Sequence, residues 1–136
     1  MRALTTLLSK GTGQAYALMR IVCGFLFLNH GTQKLLSFPV EFPWPLNGMT
    51  TAAGYIELVG GTLIVLGFFT SPAAFLCSGM AAVGYWTVHA PDGLFPIANG
   101  GETIALYCFI FLYVATRGGG IWSIDSMLSS GRTQKT

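Results

Sequence analysis

Charge is what this chain has least of. Only 9% of its 136 residues are Asp, Glu, Lys or Arg, while 52% are hydrophobic. A soluble domain carries about 25% charged residues, so water is the wrong solvent for this composition. The length allows one domain. Basic runs are absent as well: the net charge is only +2 and the Lys and Arg residues are scattered. No basic stretch interleaves with aromatics, which excludes nucleic acid as a partner. Cysteine is sparse and unpaired in sequence. Cys23, Cys77 and Cys108 each stand in an apolar stretch without a C-x-x-C spacing, so a redox dithiol and a zinc knuckle are excluded and each reads as a small buried hydrophobe. Also missing are a Ser-His-Asp order, a phosphate loop and a haem signature. The glycine string at 118–120 reads as a helix stop. No A-x-A site follows the early apolar stretch, which Arg20 opens, so that stretch is expected to be a retained span and not a cleaved signal.

What the chain does have is four apolar segments. A hydrocarbon core about 30 Å thick takes about 20 helical residues to cross. The segments 18–38, 51–69, 72–89 and 101–116 meet that length or approach it. The second holds Glu57 as its one charge, and the third is free of charge until His89. In the fourth, the fully apolar part 104–116 reaches only about 20 Å at 1.5 Å per residue. A full span must therefore take in Glu102. Thr70 and Ser71 leave room for a minimal turn, which makes the second and third helices antiparallel neighbours. The expected fold is all-α, an integral membrane four-helix bundle filling residues 1–136 as a single transmembrane domain.

Orientation follows from the basic residues. Arg2, Lys10 and Arg20 precede or open the first span, and Arg117, Arg132 and Lys135 follow the fourth. The two long loops, 39–50 and 90–101, offer Glu41 and Asp92, with Lys34 at a helix end. Positive residues stay on the cytoplasmic side, so both termini are expected there. Phe42, Trp44, Phe95 and Trp122 fall at interface depth, as anchoring aromatics do.

This topology places the ionisable residues on one level in the non-cytoplasmic half. His30 and Lys34 close the first helix, Glu57 lies inside the second, His89 ends the third and Glu102 opens the fourth. Asn29, Gln33 and Asn99 join them. His30 and Lys34 share a helix face at i, i+4. Gly54, Glu57 and Gly61 share another, and small residues there admit a neighbouring helix. Charges cost about 2.5 to 3.5 kcal/mol each in lipid, so they call for partners or a task. In one reading Lys34 pairs with Glu57 or Glu102 and the network fixes helix register. In the other, cations and histidines bind an anionic or quinone-like ligand while a carboxylate or histidine exchanges protons. The spacing of His30, His89, Glu57 and Glu102 matches no metal-ligand pattern, and no metal is expected. Arg20 stands apart, about 21 Å along the helix from Lys34. Two fates are open to it: snorkelling to cytoplasmic headgroups, or a structural ion pair with Asp125.

At these residues the sequence resembles the DoxX family of small bacterial membrane proteins. The likeness runs through Arg20, Gly24, His30, Gly31 and Lys34 in RIVCGFLFLNHGTQKL, and then Glu57, Gly60, Gly61 and Gly67 in ELVGGTLIVLG. It continues in NGGE followed by ALY, and in the tail RGGGIWSID, which is similar to the family's Gly-Pro-Gly stretch before Ser-Leu-Asp. This chain departs in having Gly119 where proline is common and Ile124 for leucine. The resemblance implies a four-helix, multi-pass fold in the bacterial inner membrane. It also implies kinship with proteins of quinone-coupled thiosulfate oxidation and of membrane redox or oxidative-stress complexes. The functional expectation is a membrane component of a redox process, with a quinone as the candidate cofactor and a polar site near the periplasmic face. In that site His30, Lys34, Asn29, Gln33 and Asn99 bind the ligand. Glu57 and Glu102 serve as proton acceptors or counter-ions, and His89 as a proton shuttle. Since no site for an electron carrier is evident, catalysis needs a quinone or a partner subunit. A non-catalytic accessory subunit of a larger membrane complex is the alternative. A small proton-coupled exporter, working as a homo-oligomer, is the third. The lipid bilayer is a partner in all three.

Overall fold

The computed structural model describes residues 2–133, with side chains through residue 131. Lys135 and the side chain of Arg132, both invoked for orientation, lie outside the described residues. Within them the chain is helical and holds no strand. Helix α1 spans Arg2–Ser9, α2 Thr12–Leu36, α3 Gly48–Leu66 and α4 Thr70–Gly84. Helix α4 runs on through a π-turn at Tyr85–His89 and a 3-10 turn at Ala90–Asp92. Then come the single turn α5 at Pro96–Asn99, α6 at Glu102–Arg117 and α7 at Ile124–Thr133.

Each of the four apolar segments lies mainly on one long helix, with shifted ends. Helix α2 begins six residues earlier than its apolar run, at Thr12, bent by 57° from α1. Helix α3 begins at Gly48 because a capping box forms just before it: the Asn47 side chain accepts from the Thr50 N–H at 2.9 Å, and the Asn47 N–H donates to the Thr50 hydroxyl at 2.8 Å. It ends on Gly67, whose φ of 65° suits glycine and lets the Gly67 N–H reach the Ile64 carbonyl. Of the helices taken singly, α3 is long and apolar enough to cross a membrane, and the bent pair α1 and α2 meets the same test together.

The four long helices close a ring in which each neighbour is antiparallel. Helix α2 meets α3 through glycine: a Cβ on Gly31 would strike the Leu58 backbone nitrogen and come within 2.8 Å of the Gly54 carbonyl oxygen, and one on Gly61 would come within 2.8 Å of the Leu28 nitrogen. Small residues thus bring the two backbones together, as the Gly54, Glu57, Gly61 stripe predicts. Helix α3 meets α4 where Gly60 faces the Cys77 sulfur. Helix α4 meets α6 where the Ser78 hydroxyl donates to the Cys108 carbonyl at 2.7 Å. Helix α6 returns to α2 through Phe27, whose ring lies 5.2 Å from Tyr107 and 4.8 Å from Phe111. Ile64, Ala74, Cys77, Ala81, Phe111 and Val114 complete the buried centre.

The outside of this ring is as apolar as its inside. Phe25, Val59, Phe75, Leu106 and Phe109 are all exposed, an arrangement that water disfavours and hydrocarbon does not. The glycine contacts give a first expected result. Gly31→Ala forces α2 and α3 apart and is expected to cost about 1 to 3 kcal/mol. Gly79→Ala, which meets nothing within 4 Å, is expected to be neutral. Denaturant unfolding in detergent micelles, run on both variants, checks the contrast.

Candidate functional site

Lys34 occupies the last turn of α2 and Glu57 the middle of α3. Gly31 and Gly54 hold these two helices close enough for the side chains to meet. The Lys34 Nζ lies 2.5 Å from Glu57 Oε1 and 2.6 Å from Oε2, the one ion pair among the described residues. Its side chains are 17% and 8% exposed. The Phe42 ring, from the loop between α2 and α3, sits 6.0 Å from the ammonium. Gln33 reaches the Glu41 carbonyl of the same loop at 3.4 Å. The loop therefore covers the pair. Both oxygens of Glu57 point at Lys34, so the two charges are satisfied by one another.

Among the described residues, the other predicted site residues make no hydrogen bond to the side chains of this pair. His30 is exposed on α2, edge-on to the Tyr107 ring at 6.1 Å. Asn29 is half-buried one residue earlier. His89 ends the π-turn, stacked on Tyr85, with its Nδ1 3.0 Å from the Asn99 carbonyl oxygen. The Asn99 side chain donates to the Gly93 carbonyl at 2.8 Å and accepts from the Gly101 N–H at 2.8 Å, which staples the 90–101 loop to the start of α6. Glu102 opens α6, exposed and without a hydrogen bond or ion pair among the described residues. Among the described residues the expected single pocket is thus divided: Lys34 pairs with Glu57 one turn from His30, while His89 bonds to Asn99 in a separate cluster and Glu102 stands alone at the start of α6. No hydrogen bond or ion pair links the α2–α3 pair to the His89–Asn99 cluster, and Phe27, Tyr107 and Phe111 fill the bundle between their helices. Among the described residues no three His, Cys, Asp or Glu side chains converge as metal ligands do.

Two open hollows on the α4–α6 face were not anticipated from the sequence. An open groove of about 270 Å³ runs between the end of α4 and α6, walled by Tyr85, Trp86 and Phe109 over a floor of Ala82, Ala105 and Cys108. A second hollow shares Ala105, Phe109 and Pro96 with it and ends at Glu102. Small residues opposed to aromatics were visible in the sequence, but only the pairing of α4 with α6 makes them one surface.

The opposite end of the bundle carries a different device. Arg20 is fully buried. Its Nη1 donates to the Ile64 carbonyl and, at 2.8 Å, to that of Val65, while Nη2 donates to the Trp122 carbonyl at 2.7 Å. Asp125 accepts from the Phe69 N–H at 3.0 Å, the Thr70 N–H at 3.0 Å and the Thr70 hydroxyl at 2.6 Å. Neither expected fate of Arg20 holds. It turns inward instead of snorkelling, and it forms no direct ion pair with Asp125. The physical reason lies in the α3–α4 turn between them. Arg20 adds donors to the Ile64 and Val65 carbonyls at the end of α3, and Asp125 caps the N–H groups that open α4, each with the charge that suits that helix end. Tyr16 adds a further tie that the sequence did not announce, its hydroxyl donating to the Gly118 carbonyl at 2.5 Å.

Burial by itself raises the Asp125 pKa, but the Thr70 hydroxyl, the Thr70 and Phe69 N–H groups and the Arg20 charge outweigh it and hold the carboxyl below its ordinary value. A depressed carboxyl pKa contributes stability in full above the unfolded value, about 3.9, and loses it as pH falls through the lower folded value. Asp125→Ala is therefore expected to cost about 1 to 2 kcal/mol at neutral pH, as loss of an N-cap does. The difference from the unaltered protein should shrink below about pH 4. Thermal melts of both forms across that range check it.

The family model DoxX matches residues 15–90. An uncharacterized protein of Haemophilus influenzae is 43% identical over 118 residues, covering 81% of this chain and 87% of the relative. A second uncharacterized protein of the same organism is 22% identical over 129 residues, covering 87% of this chain and 85% of its own length. No solved structure matches.

Proposed function

The chain belongs to the DoxX family of membrane proteins, and from that premise we propose that it is a four-span protein of the bacterial inner membrane serving a quinone-linked redox process. The spans are α2, α3, α4 with its extension to His89, and α6, with both termini in the cytoplasm. Three features support this topology: the apolar outside of the ring, the antiparallel order, and the gathering of Arg2, Lys10 and Arg117 at one end against Glu41, Asp92 and Glu102 at the other.

The groove between α4 and α6 carries the functional reading. Flat aromatic walls and an alanine floor suit a planar ring that arrives sideways from the bilayer, and the groove leads toward Glu102 at the water boundary. A quinone gains two protons with two electrons on reduction. Glu102, which lines the second hollow, is the proton-exchanging group of this reading, with His89 reaching it through the Asn99 loop as a shuttle, and a partner subunit supplies the electrons. Lys34 and Glu57 hold the α2–α3 half in register, with His30, Asn29 and Gln33 near the same face. A photoreactive ubiquinone analogue in native membranes is expected to label the 82–109 stretch, to be displaced by excess ubiquinone, and to lose the site in Ala105→Trp. Labelling spread along the chain, or indifferent to ubiquinone, would count against this reading.

One observation favours an accessory role in a membrane complex instead: Lys34, Glu57, Arg20 and Asp125 all spend their charges on the protein itself. Redox activity of the purified complex that survives both Glu102→Gln and Ala105→Trp would favour that version.

A further inference from the structure

Helices α1 and α7 place none of their described residues in the buried core. Helix α1 buries none of its residues. Its Leu4, Leu7 and Leu8 are 61%, 65% and 65% exposed and share one face at i, i+3, i+4 spacing. Thr5, Thr6, Ser9 and Arg2 take the other face. Helix α7 repeats the pattern, with Met127 and Leu128 73% and 56% exposed on the side of Ile124, and Ser126, Ser129 and Ser130 opposite. Both helices belong to the same end of the bundle. Asp125 is tied to the α3–α4 turn there, and a Cβ on Gly13, at the start of α2, would lie 3.5 Å from Ile121.

We infer that α1 and α7 lie in the plane of the membrane surface and dock their leucine and methionine faces among anionic phospholipids of the cytoplasmic leaflet. The inference rests on the four-span reading, because that fixes which end meets the headgroups. Geometry supports it: the 57° bend at residues 10–11 tips α1 away from the axis of α2 toward the membrane plane. Charge identifies the occupant. Arg2, Lys10 and Arg117 stand at this end, and its one acidic group among the described residues, Asp125, already accepts three hydrogen bonds. An apolar face with basic residues beside it is the pattern of helices held at an anionic interface. The far end, with Glu41, Asp92 and Glu102, offers no such match. Trp122, 58% exposed between α6 and α7, supplies an aromatic at the same depth.

The test uses the full chain in vesicles, with Cys23, Cys77 and Cys108 replaced by alanine and a polarity-sensitive fluorophore on a single new cysteine. Labels replace Leu7, Thr6, Leu128, Ser130 or Val59. In phosphatidylcholine vesicles containing phosphatidylglycerol, the Leu7 and Leu128 labels are expected to be shielded from aqueous iodide, and the Thr6 and Ser130 labels quenched. Neutralising Arg2 and Lys10 with glutamine is expected to shift the docked population of α1 by roughly fivefold per charge. In pure phosphatidylcholine shielding should weaken similarly. Equal quenching at Leu7 and Thr6 overturns the inference. So does shielding at Leu7 that ignores lipid charge, which points to a second copy of the chain on that face. The Val59 label separates the two readings: if it is quenched, the span assignment of α3 has failed, whereas a shielded Val59 beside a quenched Leu7 rejects the surface helices alone.

Discussion

Glu57→Ala, with Lys34 left in place, is expected to destabilise the protein by about 3 kcal/mol or more, because it strands an ammonium group in a site built for a pair. Only 17% of the Lys34 side chain is exposed. The Phe42 ring, 6.0 Å from the ammonium, offers that cation no replacement carboxylate. Lys34→Met strands the carboxylate instead, 8% exposed between helices that glycine has brought into contact. Removing both, as Lys34→Met with Glu57→Leu, is expected to recover most of the loss, since desolvation of the two charges offsets much of their attraction. A double-mutant cycle on unfolding in mixed micelles measures the coupling directly. Single variants that each lose less than about 1 kcal/mol would mean that water reaches the pair and screens it as it does a surface bridge. That outcome would reopen Glu57 as a proton-exchanging group.

The second large effect belongs to Arg20. Its three bonds to carbonyl oxygens are charge-assisted, each worth about 1.5 to 3 kcal/mol by comparison with other hydrogen bonds to charged groups. Arg20→Met is accordingly expected to cost about 4 kcal/mol, near the limit for a single change. Arg20→Lys should rescue little. A single ammonium cannot spread across the end of α3 and the Trp122 carbonyl together as the guanidinium fork does. The charge swap is the sharper result: Arg20→Asp with Asp125→Arg is expected to be no better than the worse single change. Each residue is bonded to backbone groups of the sign that suits it, and the swap presents the wrong charge to both helix ends. Rescue by the swap would show that the two side chains act on each other directly. Melting curves of the four proteins decide it.

These two sites show how far the sequence could be read. The long helices were legible because hydrophobicity accumulates along a segment: twenty apolar residues report a span whatever they face. The Gly31, Gly54 and Gly61 contacts were legible for a related reason, as glycines at helical spacing beside Glu57 leave no side chain to hold a neighbour away. Lys34 was placed correctly at the close of α2, but its choice of Glu57 over Glu102 was not. Both carboxylates lay at plausible heights, and height is all that a segment boundary gives.

The sequence by itself determined an apolar, all-helical chain with four long segments, basic residues toward its termini and a short turn joining α3 to α4. These are properties of composition and of neighbours along the chain. Tertiary structure decided the rest: the splitting of the polar residues between two helix pairs, the inward turn of Arg20, and the groove that α4 and α6 build together. Each depends on rotation about a helix axis. One residue of offset turns a side chain by about 100°, and only packing against the adjacent helix fixes that angle.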